Sequence, residues 1–162
     1  FIYVTARINS LDEITRNKSS EIDGGLWDRA FQLSKLADIL NEKGIRHELE
    51  VIDYNAFGIG MPSTLQAANS EKLDVQDLNL RELLKTHTEL ISDEEFKTHL
   101  DKFNAARKDL FKASLEYNKC ANTYNTYISH FPGSFMAMFH KKNSKNLFGY
   151  YFRELDEQEN IL

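Results

Sequence analysis

One cysteine (Cys120), two prolines and seven glycines are all that 162 residues contain of these types. A single cysteine excludes an internal disulfide framework and any Cys-rich zinc site. So few chain breakers argue against a many-turned β fold and leave room for long helices. No Lys/Arg run occurs, and 20 basic residues against 25 acidic ones give a formal net charge of -5. That is the wrong sign for a general nucleic-acid binder. Also absent is any stretch of about 20 apolar residues, the length that a bilayer-spanning helix needs. What is present is 41% hydrophobic and 28% charged, too apolar for a disordered chain and long enough to bury its own core.

The apolar residues follow helical periods. Ile8, Leu11, Ile22, Leu26, Leu33, Leu36 and Leu40 fall on one face of a helix from about Thr5 to Glu42. Gly24-Gly25 interrupts it and predicts a kink or a close helix–helix approach. Gly44 is placed as a C-cap; the alternative is one helix continuing to about Asn55. From Asn55 to about Asp74 the pattern is irregular, a surface loop around Gly58–Ser63 with a short helix starting near Ser63. Val75 to about Leu90 is predicted as a further helix, and Ser92 with Glu95 has capping-box spacing for the next.

That next helix has the strongest stripe: Phe96, Leu100, Phe103, Arg107, Leu110, Ser114, Tyr117, Ala121, Tyr124, Ile128 and Phe131, in steps of four and three. Pro132 ends or kinks it. An aromatic run (residues 135–139), a basic loop (140–146) and a second apolar cluster (147–152) follow, and then an acidic tail over 153–162. The expected fold is an all-α antiparallel bundle of long helices. The apolar start Phe1–Val4 is either the stub of a removed membrane anchor or the first turn of a core helix.

Little in the sequence points to catalysis. The acids lie scattered over helical faces, and the Glu-x-x-His motif of di-metal bundles does not occur. Glu95 and His99 stand four apart without further ligands, and no histidine neighbours Cys120 on its helix. Gly58-x-Gly60 lacks the Lys-Ser/Thr of a phosphate loop. The chain reads as non-enzymatic, with no catalytic residue, metal ligand or cofactor nominated. The remaining oddity is Tyr117-Asn118 and Tyr124-Asn125, seven apart and so on one helix face. Buried tyrosines seek a partner for the hydroxyl, and the asparagines can bridge to a neighbouring helix; the pairs read as residues that fix the register of a bundle, with a binding surface as the alternative.

Tyr117-Asn118-x5-Tyr124-Asn125-x2-Ile128-x2-Phe131-Pro132, followed by Ala137, resembles the C-terminal signature of the LemA family of bacterial proteins. Ile22-Asp23-x2-Leu26-x2-Arg29 is similar to that family's first-helix motif, and Lys43-Gly44 with His47-Glu48 to the stretch after it. The resemblance implies a long antiparallel bundle behind one N-terminal membrane anchor, and no catalytic residues. It also implies membrane-associated partners, among them a membrane zinc protease in some members, and a part in membrane shaping in others.

The resulting expectation is a membrane-anchored bundle at a bacterial membrane that works by binding, as a scaffold or adaptor. Its alternatives are a partner or regulator of a membrane protease, and an undetected enzyme or metal-binding bundle. The surface singled out for binding, with lipid as one ligand, joins Phe135, Met138, Phe139, Phe148, Tyr150 and Tyr151 to Lys141, Lys142 and Lys145. The competing expectation is that the rings close the end of the core.

Overall fold

The computed structural model describes residues 1–58 and 60–149. Four helices and no strand occur among them: α1 (Ile2–Glu42), α2 (Ser63–Thr86), α3 (Glu94–Ser129) and α4 (Gly133–Phe139). Short 3-10 turns lie at Tyr54–Ala56 and Thr88–Ser92. The tail over 153–162 and the rings of Tyr150 and Tyr151 lie outside the described residues.

The frame is the antiparallel pair α1 and α3. Gly25 faces Leu110, His99 bonds Gln32 (2.6 Å), and Lys18 pairs with Glu116 (2.9 Å). Of the two outcomes predicted for the glycine pair, close approach is the one observed. A Cβ on Gly25 would meet the Leu110 side chain at 3.4 Å, while α1 runs unbroken through Gly24. The α3 stripe is buried at Phe96, Phe103, Arg107, Leu110, Ser114, Tyr117, Ala121 and Tyr124. It ends sooner than its period predicts: α3 stops at Ser129, and Phe131 stands 78% exposed before a cis bond to Pro132. Gly133 is obligatory at this corner, because a Cβ there would collide with the carbonyl oxygen of Tyr127.

Gly44 ends α1 as predicted, with φ +66. The amide of Gly44 donates to the Asn41 carbonyl (3.0 Å) and that of Ile45 to Leu40 (2.9 Å), the paired bonds of a Schellman cap. The expected all-α bundle with its long helices antiparallel is observed in α1 and α3; the chain then returns along α1, so that α2 runs parallel to α1 and antiparallel to α3. Gln66 meets Asp23 at the start of α2, and Asp77 meets Arg29 farther along. Helix α2 starts at Ser63, where a short helix is expected after the loop, and runs unbroken to Thr86, so the short helix and the separate helix after Val75 are one element. Asp93, not Ser92, caps α3: its carboxylate accepts from the Phe96 amide at 2.9 Å.

The main core joins Ile22, Leu26, Leu33, Leu36 and Leu40 of α1 to Leu73, Leu80 and Leu84 of α2 and to the α3 stripe. A second cluster (Val4, Ile8, Leu11, Tyr124, Met136 and Ala137) closes the end where α1 begins and α3 stops. Val4 thus packs into the bundle, within the first turns of α1. Beyond the start of α2, its place beside α1 and α3 is taken by α4 and the extended segment 142–149.

Candidate functional site

The first-helix motif docks α2. Ile22 and Leu26 are core residues, whereas Asp23 and Arg29 reach across to α2. Asp23 accepts from Gln66 Nε2 (2.7 Å) and from the backbone amide of Gly60 (3.0 Å). Arg29, fully buried, pairs with Asp74 (2.7 Å) and Asp77 (3.2 Å) and lies over the Phe103 ring. Arg81 shares Asp77 at 2.9 Å. Burial pushes the Asp74 carboxyl above its ordinary range, with the Arg29 charge opposing it.

His47 serves the turn after α1. Its Nδ1 accepts from the Leu49 amide (3.2 Å), so Nε2 carries the proton given to Asn41 Oδ1 (2.9 Å), and Glu48 is exposed. Cys120 is half-buried and free.

The Tyr-Asn pairs fix a register, but against an extended segment instead of a helix. Asn125 Nδ2 donates to the Lys145 carbonyl (2.9 Å) while its Oδ1 accepts from the Lys145 amide (2.7 Å). Asn118 does the same with Phe148, at 3.0 and 2.7 Å. Each carboxamide thus bonds both backbone groups of one residue, as an opposed strand residue does. Seven residues of helix rise about 10.5 Å, and three residues of extended chain span about 10 Å. The heptad on α3 therefore matches a three-residue step in the segment. Between the two, Tyr117 donates its hydroxyl to the Asn146 carbonyl at 2.8 Å. Burial raises the Tyr117 pKa, which keeps that donor protonated.

This arrangement divides the predicted binding surface. Phe148 is a core residue, 3% exposed. Lys145 lies over the Tyr124 ring (4.9 Å) and pairs with Asp12 of α1 at 2.6 Å, and Lys142 reaches the same carboxylate at 3.2 Å. Burial works to raise the Asp12 pKa, but the two lysines outweigh it and the net shift is downward. These lysines are anchors for the segment and not part of an open basic face. Lys141 alone of the three is exposed, at φ 52.

What remains open is an apolar end. Phe1, Ile2 and Tyr3 of the first turn and Phe131, Phe135, Met138 and Phe139 around α4 are all exposed. Phe1 lies 5.8 Å from Phe135, and Thr5 meets His140 at 3.4 Å, so the first turn of α1 lies beside α4. Ile128 is half-buried beneath it, and Ala137 turns into the core. Asp12, Gln66, Asp74 and Asp77 escape sequence reasoning. Asp12 carried one signal, an acid beside Leu11 and four residues past Ile8 on an otherwise apolar stripe.

Replacing Asp12 by Ala is expected to loosen the segment. Trypsin cleavage after Lys145 should rise about tenfold or more, with cleavage elsewhere unchanged, since local opening governs the rate. Equal rates at Lys145 in the two proteins would show that Asp12 does not hold it.

No match to this chain is found among protein-family models, curated proteins or solved structures. No helix among the described residues is long and apolar enough to cross a membrane.

Proposed function

We propose that this chain is a non-catalytic helical-bundle adaptor that works at a bacterial membrane by resting its aromatic end on the lipid surface. The observation carrying this reading is that Phe1, Ile2, Tyr3, Phe131, Phe135, Met138 and Phe139 are all exposed at one end of the bundle, with Phe1 against Phe135. A water-facing bundle end gains nothing from seven large apolar side chains, and such patches mark interaction sites. Aromatic rings and a methionine suit the headgroup boundary, where an amphipathic surface lies on the bilayer without spanning it. Exposed Arg7 and Lys141 add positive charge near that end. Membership of the LemA family is part of the same proposal, and an anchor preceding Phe1 would enter the bilayer at this end.

Co-sedimentation with vesicles of mixed neutral and anionic lipid tests the reading. The chain is expected to sediment with the vesicles. The triple variant Phe135→Ser, Met138→Ser, Phe139→Ser should partition at least about 100-fold less, since each buried side chain of this size contributes about 1.5–3 kcal/mol. Its melting temperature should stay close to that of the parent, because these side chains are exposed. Equal sedimentation of parent and variant would remove the aromatic end from the account.

A further inference from the structure

We infer that the face of α3 bearing Asn118 and Asn125, together with Asp12 of α1, is a peptide-binding site for a partner protein's extended segment of the pattern basic-x-x-aromatic. Residues 145–148 of this chain, Lys-Asn-Leu-Phe, occupy that site in cis.

The contacts define what is recognised. The two asparagines satisfy amide and carbonyl of the first and fourth residues, so they read extended backbone whatever its side chains. This is strand addition with carboxamides in place of a sheet edge. Side-chain selection comes at the same two positions. The first residue must bring a cation to the Asp12 carboxylate and the Tyr124 ring. The fourth must fill the buried position of Phe148.

The polar half of the site stands on α3 and α1, while the ring of the fourth residue completes the main core. Among the described residues, six hydrogen bonds tie the backbone of Lys145, Asn146 and Phe148 to four side chains, Ser63 on α2 and Tyr117, Asn118 and Asn125 on α3. Asn118 and Asn125 stand on an unbroken helix, and Asp12 on its packed partner. The segment is joined to α4 through the exposed Lys141, whose positive φ is unfavourable for a side-chain-bearing residue. Release would relax that residue while leaving both helices in place.

The cis segment also leaves room for a better ligand. Asn146 borders an open surface cleft of about 460 Å³ whose other walls include Thr15, Ser19, Met61, Ser63 and Tyr117. A longer side chain at that position has these walls within reach as added contacts. A second copy of this chain brings only the identical contacts and forfeits the tether, so it has no means of winning over the cis segment. A partner with a larger second residue does.

The test uses a fluorescent peptide of residues 142–149 and the full chain carrying Phe148→Ala, which weakens the cis occupant. A second form, the full chain cut after folding at a protease site placed beside Asn143, keeps the test open if that variant fails to fold. Saturable binding is expected in either form, about tenfold or more tighter than to the intact chain, whose tether competes. A peptide with Asn146→Met should bind more tightly still. A peptide with Lys145→Glu, or a protein with Asn118→Ala and Asn125→Ala added, should bind at least about tenfold more weakly. The proposal is overturned if folded protein of both forms leaves the peptide unbound at ~1 mM, or takes the Lys145→Glu peptide equally well. Concentration-dependent dimers that exchange residues 142–149 would also overturn it, assigning the site to a second copy.

Discussion

Replacing Arg29 by Met is expected to cost about 3–5 kcal/mol of stability, because it removes the cation from a buried pair and leaves the acids behind. The methionine stem retains much of the packing over Phe103, so the loss reports charge more than volume. Asp77 keeps Arg81 at 2.9 Å, whereas Asp74 loses its closest cation. Adding Asp74→Asn should therefore recover part of the loss, a non-additivity that a double-mutant cycle reads directly. The pH dependence has a definite sign. Burial already raises the folded-state pKa of Asp74 above its ordinary value, with Arg29 opposing. Without Arg29 it rises further. An acid raised in the folded state destabilises above that pKa, and the penalty fades as pH falls towards the unfolded value. The deficit of Arg29→Met should thus be smaller at pH 5 than at pH 7. Urea unfolding at both values checks it, and a deficit that grows on acidification would contradict this assignment.

Two rings of the surface singled out in the sequence should behave oppositely. Phe148→Ala is expected to cost about 3–5 kcal/mol, the usual range for a buried Phe, because the ring is 3% exposed within the main core. In melting temperature that is about 6–20 °C for a chain of this size. The loss also frees the segment, since the ring and the Asn118 bonds hold the same residue. Phe139→Ala, at 72% exposure, should stay within about 0.5 kcal/mol of the parent. Thermal melts of the two variants decide the matter. Equal shifts would mean that the division into a docked segment and an open aromatic end is wrong.

The long helices are legible because their buried faces are apolar at helical spacing. Ile22, Leu26, Leu33, Leu36 and Leu40 on α1 and Phe103, Leu110 and Ala121 on α3 all lie where the period places them. The continuity of α2 is obscure for the opposite reason: its start at Ser63 is legible, but its first turns dock through Gln66 and Ser70, buried polar residues, and the apolar stripe begins only at Leu73. Its direction is hidden as well, since a return loop is needed to lay it parallel to α1. The heptad of Asn118 and Asn125 announces a register, yet the sequence does not show that its partner is extended chain, reached by a seven-to-three match in length. The lysines read as a basic face because Asp12, which takes two of them, stands about 130 residues away in the chain. Of the sequence-predicted surface, Phe135, Met138 and Phe139 remain exposed, and the structure adds Phe1, Ile2, Tyr3 and Phe131 to them.

The claim that the aromatic end meets the membrane is tested most directly by where a tryptophan is quenched. The native Trp27 lies mid-way along α1, stacked on Phe31, and reports the flank of the bundle. A second protein carrying Trp27→Phe and Phe139→Trp reports the end. With anionic vesicles whose lipid chains are brominated, the end probe should be strongly quenched and blue-shifted, while native Trp27 stays unchanged. No quenching of the end probe, or quenching of Trp27 alone, would contradict the account.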